Sequence, residues 1–365
     1  MNPPVTLEEL IPPLTKWFAG AHRSLPWRSE PTPYHVWVSE IMLQQTRVEA
    51  VKRYYARFLE HLPTVAELAA CPEDRLLKLW EGLGYYNRAR NMQQAAKDIM
   101  ETFDGAFPSS YEEILSLKGI GSYTAGAISS IAFHLPYPAV DGNVLRVLMR
   151  VFGWDLDIAL GATKTQIERL LKEYLDRTEI DPGQINQSLM ELGALVCLPN
   201  GEPHCAQCPW ESVCVAHQTG RETELPVKKA AKQRRIEART IVLVTDRDGV
   251  LLKKRPKKGL LAGLYEFLNL DGKQDADAVL ATVKNLGFTP LRITSLPAAK
   301  HIFSHVEWHM CGFLVRVEEV ESALCRSLEE KLDAQMVDRT QLEEVYAVPS
   351  AFRVYTQIAK TLVKA

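Results

Sequence analysis

The sequence predicts a mainly helical amino-terminal domain followed by a smaller domain of mixed helices and strands. Three observations support this fold class: apolar residues recur at helical spacing over residues 1–218, four cysteines crowd the end of that region, and a basic segment then precedes alternating apolar runs. We therefore predict a helical domain over 1–218, a basic linker over 219–235 and an α+β domain over 236–365.

Composition narrows the class of protein. The chain has 365 residues, of which 46% are hydrophobic, so each domain can bury a core of its own. The net charge of −2 does not indicate a nucleic-acid partner, but binding to DNA depends on local basic patches rather than on total charge. No run of about 18 apolar residues occurs and the amino end lacks a basic-then-apolar signal, so we expect a cytoplasmic protein without a membrane partner.

A long helix is predicted from about Tyr34 to Leu62, because apolar residues follow one stripe along it. Glu40 and Gln44 are four positions apart and share a neighbouring face, with Gln45 and Thr46 one step around the helix. A carboxylate and an amide should therefore lie side by side.

A glycine-rich loop follows at residues 80–90, where Leu83 and Tyr85 look exposed between glycines and precede two arginines. Such a loop could push a side chain into a stack of bases. A loop whose aromatic residues are anchored in the core explains the pattern equally well.

The motif around which the chain is organised is Gly119-Ile120-Gly121. Its glycines let the chain turn tightly and present backbone N–H groups at the start of a helix predicted from Ser122 to about Phe133. That geometry suits a phosphate, and Lys118 would add positive charge. Taken alone, so short a pattern is more typical of a plain turn between helices.

Asp141 and Asn143 follow this helix, beyond Pro136 and Pro138, which end it and re-aim the chain. The Asp141 carboxylate would then face whatever the glycine turn holds. The alternative is that Asp141 only caps the next helix.

Four cysteines follow the predicted helices at about Lys164–Arg177 and Gln184–Val196. Four thiolates in so short a segment can close around Zn²⁺ or an iron-sulfur cluster. Only one tight pair exists, whereas zinc ribbons have two, so we favour a [4Fe-4S] cluster over residues 197–214. The candidate ligands, spaced by seven, two and five residues, are Cys197, Cys205, Cys208 and Cys214.

The second domain contains a hairpin signal, Asp248-Gly249, between two apolar runs. A helix is predicted over 276–286 and a strand over 310–317. Strict alternation would place His301, Phe303, His305, Glu307 and His309 on one face of a strand, which could also be a metal-binding or merely exposed face.

Together, the Gly-Ile-Gly turn, Asp141 and the four cysteines resemble the endonuclease III superfamily of helix-hairpin-helix DNA glycosylases over about residues 7–218. Bifunctional members carry a lysine where this sequence has Tyr123, and a phenol cannot form their Schiff base. The segments 38–46, 80–86 and 140–143 resemble the MutY-type adenine DNA glycosylases more closely.

This resemblance implies a monofunctional enzyme that excises adenine mispaired with 8-oxoguanine or guanine. It implies that Glu40 protonates the adenine at N7 and that ionised Asp141 stabilises the sugar cation. Tyr123 would hydrogen-bond near that sugar, and Asn143 would orient its neighbours. The cofactor would be a [4Fe-4S] cluster, and the partner of a monomeric chain would be double-stranded DNA.

For the DNA contacts, the resemblance implies that Gln45 and Tyr85 wedge into the stack with Leu83 alongside. Gln44, Thr46 and Arg28 would line the pocket or contact the lesion strand.

The carboxy-terminal domain would be Nudix-like, and its motif Phe303-Ser304-His305 would read 8-oxoguanine. It lacks the acidic Nudix helix that holds Mg²⁺, so we expect binding without pyrophosphate hydrolysis. One departure is the gap between Cys197 and Cys205, which is one residue longer than in the family.

Three other functions compete with this interpretation: a pyrimidine-specific glycosylase with lyase activity, a DNA-binding protein without catalysis, and a Nudix hydrolase. The paired carboxylates disfavour the second, and the missing acidic helix disfavours the third.

Overall fold

The computed structural model describes residues 3–228 and 233–364. Residues 229–232, which belong to the predicted basic linker and include Lys229 and Lys232, lie outside the described part. The chain divides into two compact units, Met1–Ala70 with Asn91–Ala231 and Cys71–Arg90 with Lys232–Ala365. Among the described residues, no helix is both long and apolar enough to cross a membrane.

The described residues up to 228 are helical, as predicted. The helices are α1 (Leu7–Ala21), α2 (Pro26–Ser29), α3 (Pro33–Leu43), α4 (Val48–His61), α5 (Val65–Ala70), α6 (Glu73–Leu79), α7 (Asn87–Thr102), α8 (Tyr111–Ser116), α9 (Ser122–Phe133), α10 (Gly142–Phe152), α11 (Gly161–Leu175), α12 (Pro182–Leu195) and α13 (Val215–Gln218).

The prediction of one long helix from Tyr34 to Leu62 is wrong. The helix is interrupted between α3 and α4, because Gln45 adopts a positive φ of 57°, which an α-helix cannot contain. Gln44 ends α3 as its C-cap, and Thr46 lies in the turn. The break takes Gln45 and Thr46 off the helix that was expected to carry them, although both still line the cavity that Glu40 lines.

The predicted glycine turn joins α8 to α9, and α9 has the predicted bounds. Gly119 has φ 79°, and a Cβ there would lie 2.6 Å from the Asn91 Cβ, so glycine is required on both counts. Gly126 inside α9 lets the carbonyl of Pro138 approach so closely that a Cβ would clash with it. This close approach fixes the path of the chain between α9 and α10.

One core of the first unit is built from α1, α10, α11 and α12. Leu10 and Ile11 from α1, Leu148 from α10 and Leu189 from α12 are all fully buried. Trp210, beyond the third cysteine, donates its indole N–H to the carbonyl of Leu10 at 2.8 Å. The cysteine segment is therefore packed into the same core that supports α10 and α12.

The second unit is built on one mixed sheet. Its strands are β1 (Arg235–Thr245), β2 (Val250–Lys254), β3 (Tyr265–Glu266), β4 (Leu268–Asp271), β5 (Pro290–Ile302), β6 (Val306–Val317) and β7 (Ala334–Val337). The order is β3-β2-β1-β6-β5, with β4 on β1 and β7 on β2. β1 and β6 are parallel, and the predicted Asp248-Gly249 hairpin joins β1 to β2.

Helices also lie between and after these strands, and the buried residues around the sheet form two separate hydrophobic cores. The helices are α14 (Ala276–Asn285), α15 (Ser322–Leu332), α16 (Arg339–Glu344) and α17 (Arg353–Leu362). One core contains Trp308 and Phe352, and the other contains Val279 and Val315. The predicted helix at 276–286 and strand at 310–317 are thus confirmed.

The prediction that residues 301–309 alternate along one strand is wrong. Residues 303–305 form the turn between β5 and β6, where the Phe303 N–H donates to the carbonyl of Val306 at 2.8 Å. His301 pairs across this turn with Trp308. A hairpin reverses the chain here, so the odd-numbered side chains cannot continue along one face.

Candidate active site

A cavity of about 1190 Å³ in the first unit gathers most of the residues that the sequence singled out. Its walls come from α2, α3, α9, α10 and α12. The sequence-predicted residues on its lining are Arg28, Glu40, Gln44, Gln45, Thr46, Tyr123, Asp141 and Asn143.

Glu40 lies on α3 where this helix packs against α9, and it is only 6% exposed. Tyr123, on α9, donates its hydroxyl to Glu40 Oε2 at 2.5 Å. Burial raises the pKa of Glu40 to about 7, although the Tyr123 hydrogen bond opposes this, and the nearby Asp141 charge raises it further. Near neutral pH this carboxyl group can therefore hold a proton and release it.

Asp141 is the N-cap of α10, as the simpler interpretation of the sequence expected. Its Oδ1 accepts from the Val144 backbone N–H at 2.8 Å, and its Oδ2 accepts from Asn143 Nδ2 at 2.7 Å. Burial raises the pKa of Asp141, while these hydrogen bonds act in the opposite direction and favour its ionised form. The cap fixes the carboxylate at the wall of the cavity that also holds Glu40 and Tyr123.

Arg146, which the sequence did not single out, braces this arrangement. One of its N–H groups donates to Asn143 Oδ1 at 2.8 Å, and others donate to the carbonyls of Gly193 and Cys197, each at 2.8 Å. A chain of hydrogen bonds thus runs from the Asp141 carboxylate through Asn143 and Arg146 to the backbone of the first cysteine. The sequence could have indicated this role, because Arg146 lies three positions after Asn143 on the apolar side of α10.

A buried ionic cluster forms another wall, and its acid was also missed. Glu191 on α12 has a side chain that is 1% exposed, and it accepts from the guanidinium groups of Arg23 at 2.8 Å and Arg28 at 2.9 Å. Burial would raise the pKa of Glu191, but the hydrogen bonds from both arginines outweigh it and bring the pKa to about 2. Arg28 is therefore held in place at the cavity by a charged partner.

The remaining predicted contact residues of the first unit lie at two turns. Gln45 is exposed in the turn after α3, with Gln44 and Thr46 partly buried beside it. At the hairpin, Lys118 and Gly119 are exposed before Gly121, which is the N-cap of α9. The backbone N–H groups at the start of α9 face outward without a side-chain cap.

The glycine-rich loop and the Phe-Ser-His turn both belong to the second unit. Tyr85 is 48% exposed and its hydroxyl lies 3.1 Å from Ser304 Oγ, whereas Leu83 is 6% exposed. The expectation that Leu83 is exposed is therefore wrong, because the loop folds it inward. Ser304 and His305 are exposed, and Phe303 packs edge-on against Trp308.

The four cysteines line one small cavity between α10 and the end of α12. Burial raises the pKa of Cys208 to about 12 and that of Cys205 to about 11, and the neighbouring thiolates add to both shifts. Four thiolates can coexist here only if a cation compensates their charge. Arg150 supplies part of that charge, with an N–H group 3.2 Å from Cys197 Sγ, so the donor set fits a metal centre.

Cys205 also lies in a mixed group of potential ligands. Its sulfur, His217 and Glu222 have donor atoms within 4.8 Å of one another. His217 Nδ1 is 2.6 Å from Glu222 Oε1, so the imidazole and the carboxylate already bind each other. The four-thiol set is the better match for a soft metal.

Comparison with known proteins gives this site its context. Residues 38–177 match the family described as "HhH-GPD superfamily base excision DNA repair protein", and residues 239–357 match the NUDIX domain family. The chain is 35% identical to an adenine DNA glycosylase of Rattus norvegicus, covering 80% of this chain and 68% of that protein. An adenine DNA glycosylase of Buchnera aphidicola subsp. Baizongia pistaciae is also 35% identical, covering 82% and 83%.

The chain belongs to the adenine DNA glycosylase family. It is therefore a DNA N-glycosylase of base excision repair, with a helix-hairpin-helix domain of the endonuclease III fold and a Nudix-like domain. A thermostable thymine-DNA glycosylase matches with a TM-score of 0.52 at 25% identity, covering 58% of this chain and 96% of that one. A trapped endonuclease III-DNA covalent intermediate matches in fold, with a TM-score of 0.50 at 24% identity over 59% and 99% of the two chains.

Proposed function

We propose that this adenine DNA glycosylase removes adenine opposite 8-oxoguanine or guanine by acid-assisted hydrolysis, with Glu40 as the acid and Asp141 as the cation stabiliser. The observation that carries the proposal is the pair of carboxyl groups at one cavity with different surroundings. Glu40 is buried against a phenol and keeps its proton near neutral pH, whereas Asp141 is held by donors that favour its charge. Environments that separate two carboxyl groups in this way are typical of acid and base partners.

The first chemical step is proton transfer. Adenine is a poor leaving group, so the nucleotide must leave the duplex and its base must be protonated as the glycosidic bond breaks. Glu40 can donate this proton to ring nitrogen N7, and the Tyr123 hydroxyl on Oε2 leaves Oε1 to carry it.

The second step is the capture of the sugar cation. Breaking the bond leaves positive charge on the sugar, and ionised Asp141 stabilises it electrostatically or by a transient covalent bond that water then hydrolyses. Asn143 and the Val144 N–H hold the carboxylate in orientation. Tyr123 lies at this site and has no amine to form a Schiff base, so the product is an abasic site on an intact strand.

DNA would be gripped at several points. The backbone N–H groups of Gly119 and Gly121 suit a phosphate, and Lys118 adds charge next to them. Gln45, whose positive φ aims it away from α3, would insert near the vacated position. Arg28, Gln44 and Thr46 lie on the cavity lining, where they would contact the extruded base or its strand.

Recognition of 8-oxoguanine is proposed for the second unit. Tyr85 would stack beside the lesion, and its hydroxyl lies 3.1 Å from Ser304 Oγ. Ser304 and His305 are exposed on a turn that Phe303 anchors to the core, so their polar groups are free of the strand and available to a base edge. Leu83 is folded inward in the loop that carries Tyr85, so it would support that loop instead of touching the DNA.

We propose a [4Fe-4S] cluster on Cys197, Cys205, Cys208 and Cys214. The cluster would supply the positive charge that keeps four neighbouring thiolates ionised, and it would tie the cysteine segment to α10. Visible absorbance together with iron and sulfide analysis tests this, and a colourless protein with stoichiometric zinc would contradict it.

A borohydride and alkali experiment distinguishes this function from that of a pyrimidine-specific glycosylase with lyase activity. A labelled duplex with an 8-oxoguanine:adenine pair is incubated with the protein, and we expect strand cleavage only after alkali and no adduct trapped by borohydride. A trapped covalent adduct in the parent chain would refute the monofunctional mechanism. Size-exclusion chromatography of the protein bound to the same duplex separately tests whether one chain binds one double-stranded DNA, as we expect.

A further inference from the structure

An ion pair between a buried lysine and a partly exposed glutamate lies at the start of the loop that carries Tyr85. Lys78, at the end of α6 in the second unit, is 5% exposed and donates to Glu81 Oε2 at 2.7 Å. It also donates to the carbonyls of Leu342 at 3.2 Å and Tyr346 at 3.0 Å. Glu81 Oε1 in turn accepts from the Val348 N–H at 2.7 Å. The three donors of the ammonium group thus have three acceptors, and the carboxylate uses both oxygens.

The loop that follows this pair is closed by its own hydrogen bonds. The Trp80 indole N–H donates to the carbonyl of Gly84 at 3.1 Å, and the Leu83 N–H donates to the carbonyl of Trp80 at 3.1 Å. Arg88 donates to the carbonyls of Leu83 and Gly84, at 3.1 Å each, and its guanidinium lies over the Tyr85 ring. These contacts therefore connect the residues from the ion pair to Tyr85 into one closed loop.

Tyr85 occupies a backbone conformation that must be enforced. Its φ is 48°, in the left-handed region that a bulky side chain rarely adopts. Such a conformation persists only where the surrounding structure over-determines it. Tyr85 is nevertheless exposed and places its hydroxyl beside Ser304, so the enforcement comes from the base of the loop rather than from burial of the ring.

We propose that Lys78 and Glu81 are a positioning pair that holds Tyr85 in register with Ser304 and thereby sets the discrimination of 8-oxoguanine from guanine opposite adenine. This inference rests on the proposed function of the second unit. Neither residue lines the cavity that holds Glu40 and Asp141, as far as the described residues show, so the pair acts on recognition and not on bond cleavage.

A purely stabilising role does not explain the arrangement. Replacing a buried ion pair with apolar groups is often neutral for stability, whereas breaking one partner is costly, so such pairs are weak evidence for stability. The same segment has a second tie, from Asp74 at the start of α6 to Lys254 at 2.9 Å, and that pair is more exposed. The fully satisfied pair is the one next to the loop.

The test uses Lys78→Met in the full chain, with Lys254→Met as the matched control that breaks the other tie. Single-turnover adenine release is measured on 8-oxoguanine:adenine and guanine:adenine duplexes. We expect Lys78→Met to lower the ratio of the two rates by about tenfold, the factor corresponding to loss of the single hydrogen bond between Tyr85 and Ser304, by slowing only the lesion substrate. Lys254→Met should leave this ratio unchanged.

A second readout needs no DNA. Hydrogen exchange of the amides at 82–88 should become faster in Lys78→Met and remain at the parent rate in Lys254→Met. Should Lys78→Met fail to fold, Glu81→Gln replaces it, because the amide oxygen can still accept from the Val348 N–H.

An unchanged rate ratio in a folded variant would overturn the inference, as would equal slowing of both substrates, which is the signature of a merely structural role. A parent chain that releases no adenine would refute the proposed function instead. In that case the exchange measurement still decides whether the pair holds the loop.

Discussion

At the scale of single residues, Asp141 has two roles that one side chain can combine. It caps α10 through the Val144 N–H, and the same hydrogen bond fixes its charge at the cavity. Asp141→Asn removes the charge while keeping the shape, so binding of the mispaired duplex should persist while base release slows by orders of magnitude. Duplex affinity and single-turnover excision measure the two effects, and near-normal excision would exclude Asp141 from the chemistry.

The protonation of Glu40 should determine how the rate of excision depends on pH. An acid must be protonated to act, and the pKa of Glu40 is raised to about 7, so the rate should fall as pH rises through about 7. Glu40→Gln cannot transfer the proton, so it should slow excision strongly and remove this limb of the pH-rate profile. Tyr123→Phe is the informative control, because it removes the hydrogen bond to Oε2 without removing the acid. A parent profile that stays flat from pH 6 to 8 would contradict this role.

At the scale of secondary-structure elements, α12 should make the first unit acid-sensitive. The pKa of Glu191 is about 2 in the folded chain, against the ordinary value of 4.5 that applies to the unfolded chain, so its ion pairs stabilise the fold fully above pH 4.5. That contribution, about 3 kcal/mol for such a shift, should disappear as pH falls from about 4.5 towards 2.

Denaturant unfolding of the parent and of Glu191→Gln at several pH values measures this effect. The variant should be less stable at pH 7 and should approach the parent at low pH. Glu8→Gln, which removes an exposed ion pair with Arg177, serves as the control and should cost little at either pH. A constant difference between Glu191→Gln and the parent would contradict the linkage.

The turn between β5 and β6 carries a prediction about recognition. Ser304→Ala combined with His305→Ala removes two exposed polar groups but leaves the Phe303 anchor intact. Discrimination between 8-oxoguanine:adenine and guanine:adenine duplexes should shrink while guanine:adenine excision is retained. A double variant that discriminates like the parent would show that this turn does not read the lesion.

Sequence reasoning succeeded for elements whose signals are local. The glycine turn gave α9 with its correct bounds, and Asp248-Gly249 gave the β1-β2 hairpin. It failed at Gln45 and at residues 303–305, because neither break contains the glycine or proline that usually announces one. An apolar stripe ran through the first break and an alternation of histidine, phenylalanine and glutamate ran through the second, and these patterns concealed them.

The site shows the same contrast. Glu40, Tyr123 and Asp141 come from distant parts of the chain, and their common location could be expected only from the family resemblance. The spacing of Asn143 and Arg146 was a local signal, whereas the bonds from Arg146 to Gly193 and Cys197 and the pairing of Glu191 with two arginines depend on non-local packing, for which no spacing rule exists.

At the scale of the whole molecule, the chain is not divided at one point. Residues Cys71–Arg90 group with Lys232–Ala365, although the sequence around them is continuous with the helical region. The Tyr85 loop and the Ser304 turn are consequently parts of one compact unit, whereas Glu40 and Asp141 belong to the other. The function that we propose therefore places recognition of the lesion and cleavage of the bond in different units of the fold.

We propose that this chain removes adenine opposite 8-oxoguanine. Measuring which base is released from a panel of duplexes is the direct test of this activity. Single-turnover release is measured for 8-oxoguanine:adenine, guanine:adenine, thymine:adenine and guanine:thymine pairs. We expect free adenine from the 8-oxoguanine:adenine and guanine:adenine pairs, with faster release from the 8-oxoguanine pair. We expect no base release from the thymine:adenine and guanine:thymine pairs. Release of thymine from guanine:thymine, or no adenine from 8-oxoguanine:adenine, would contradict it.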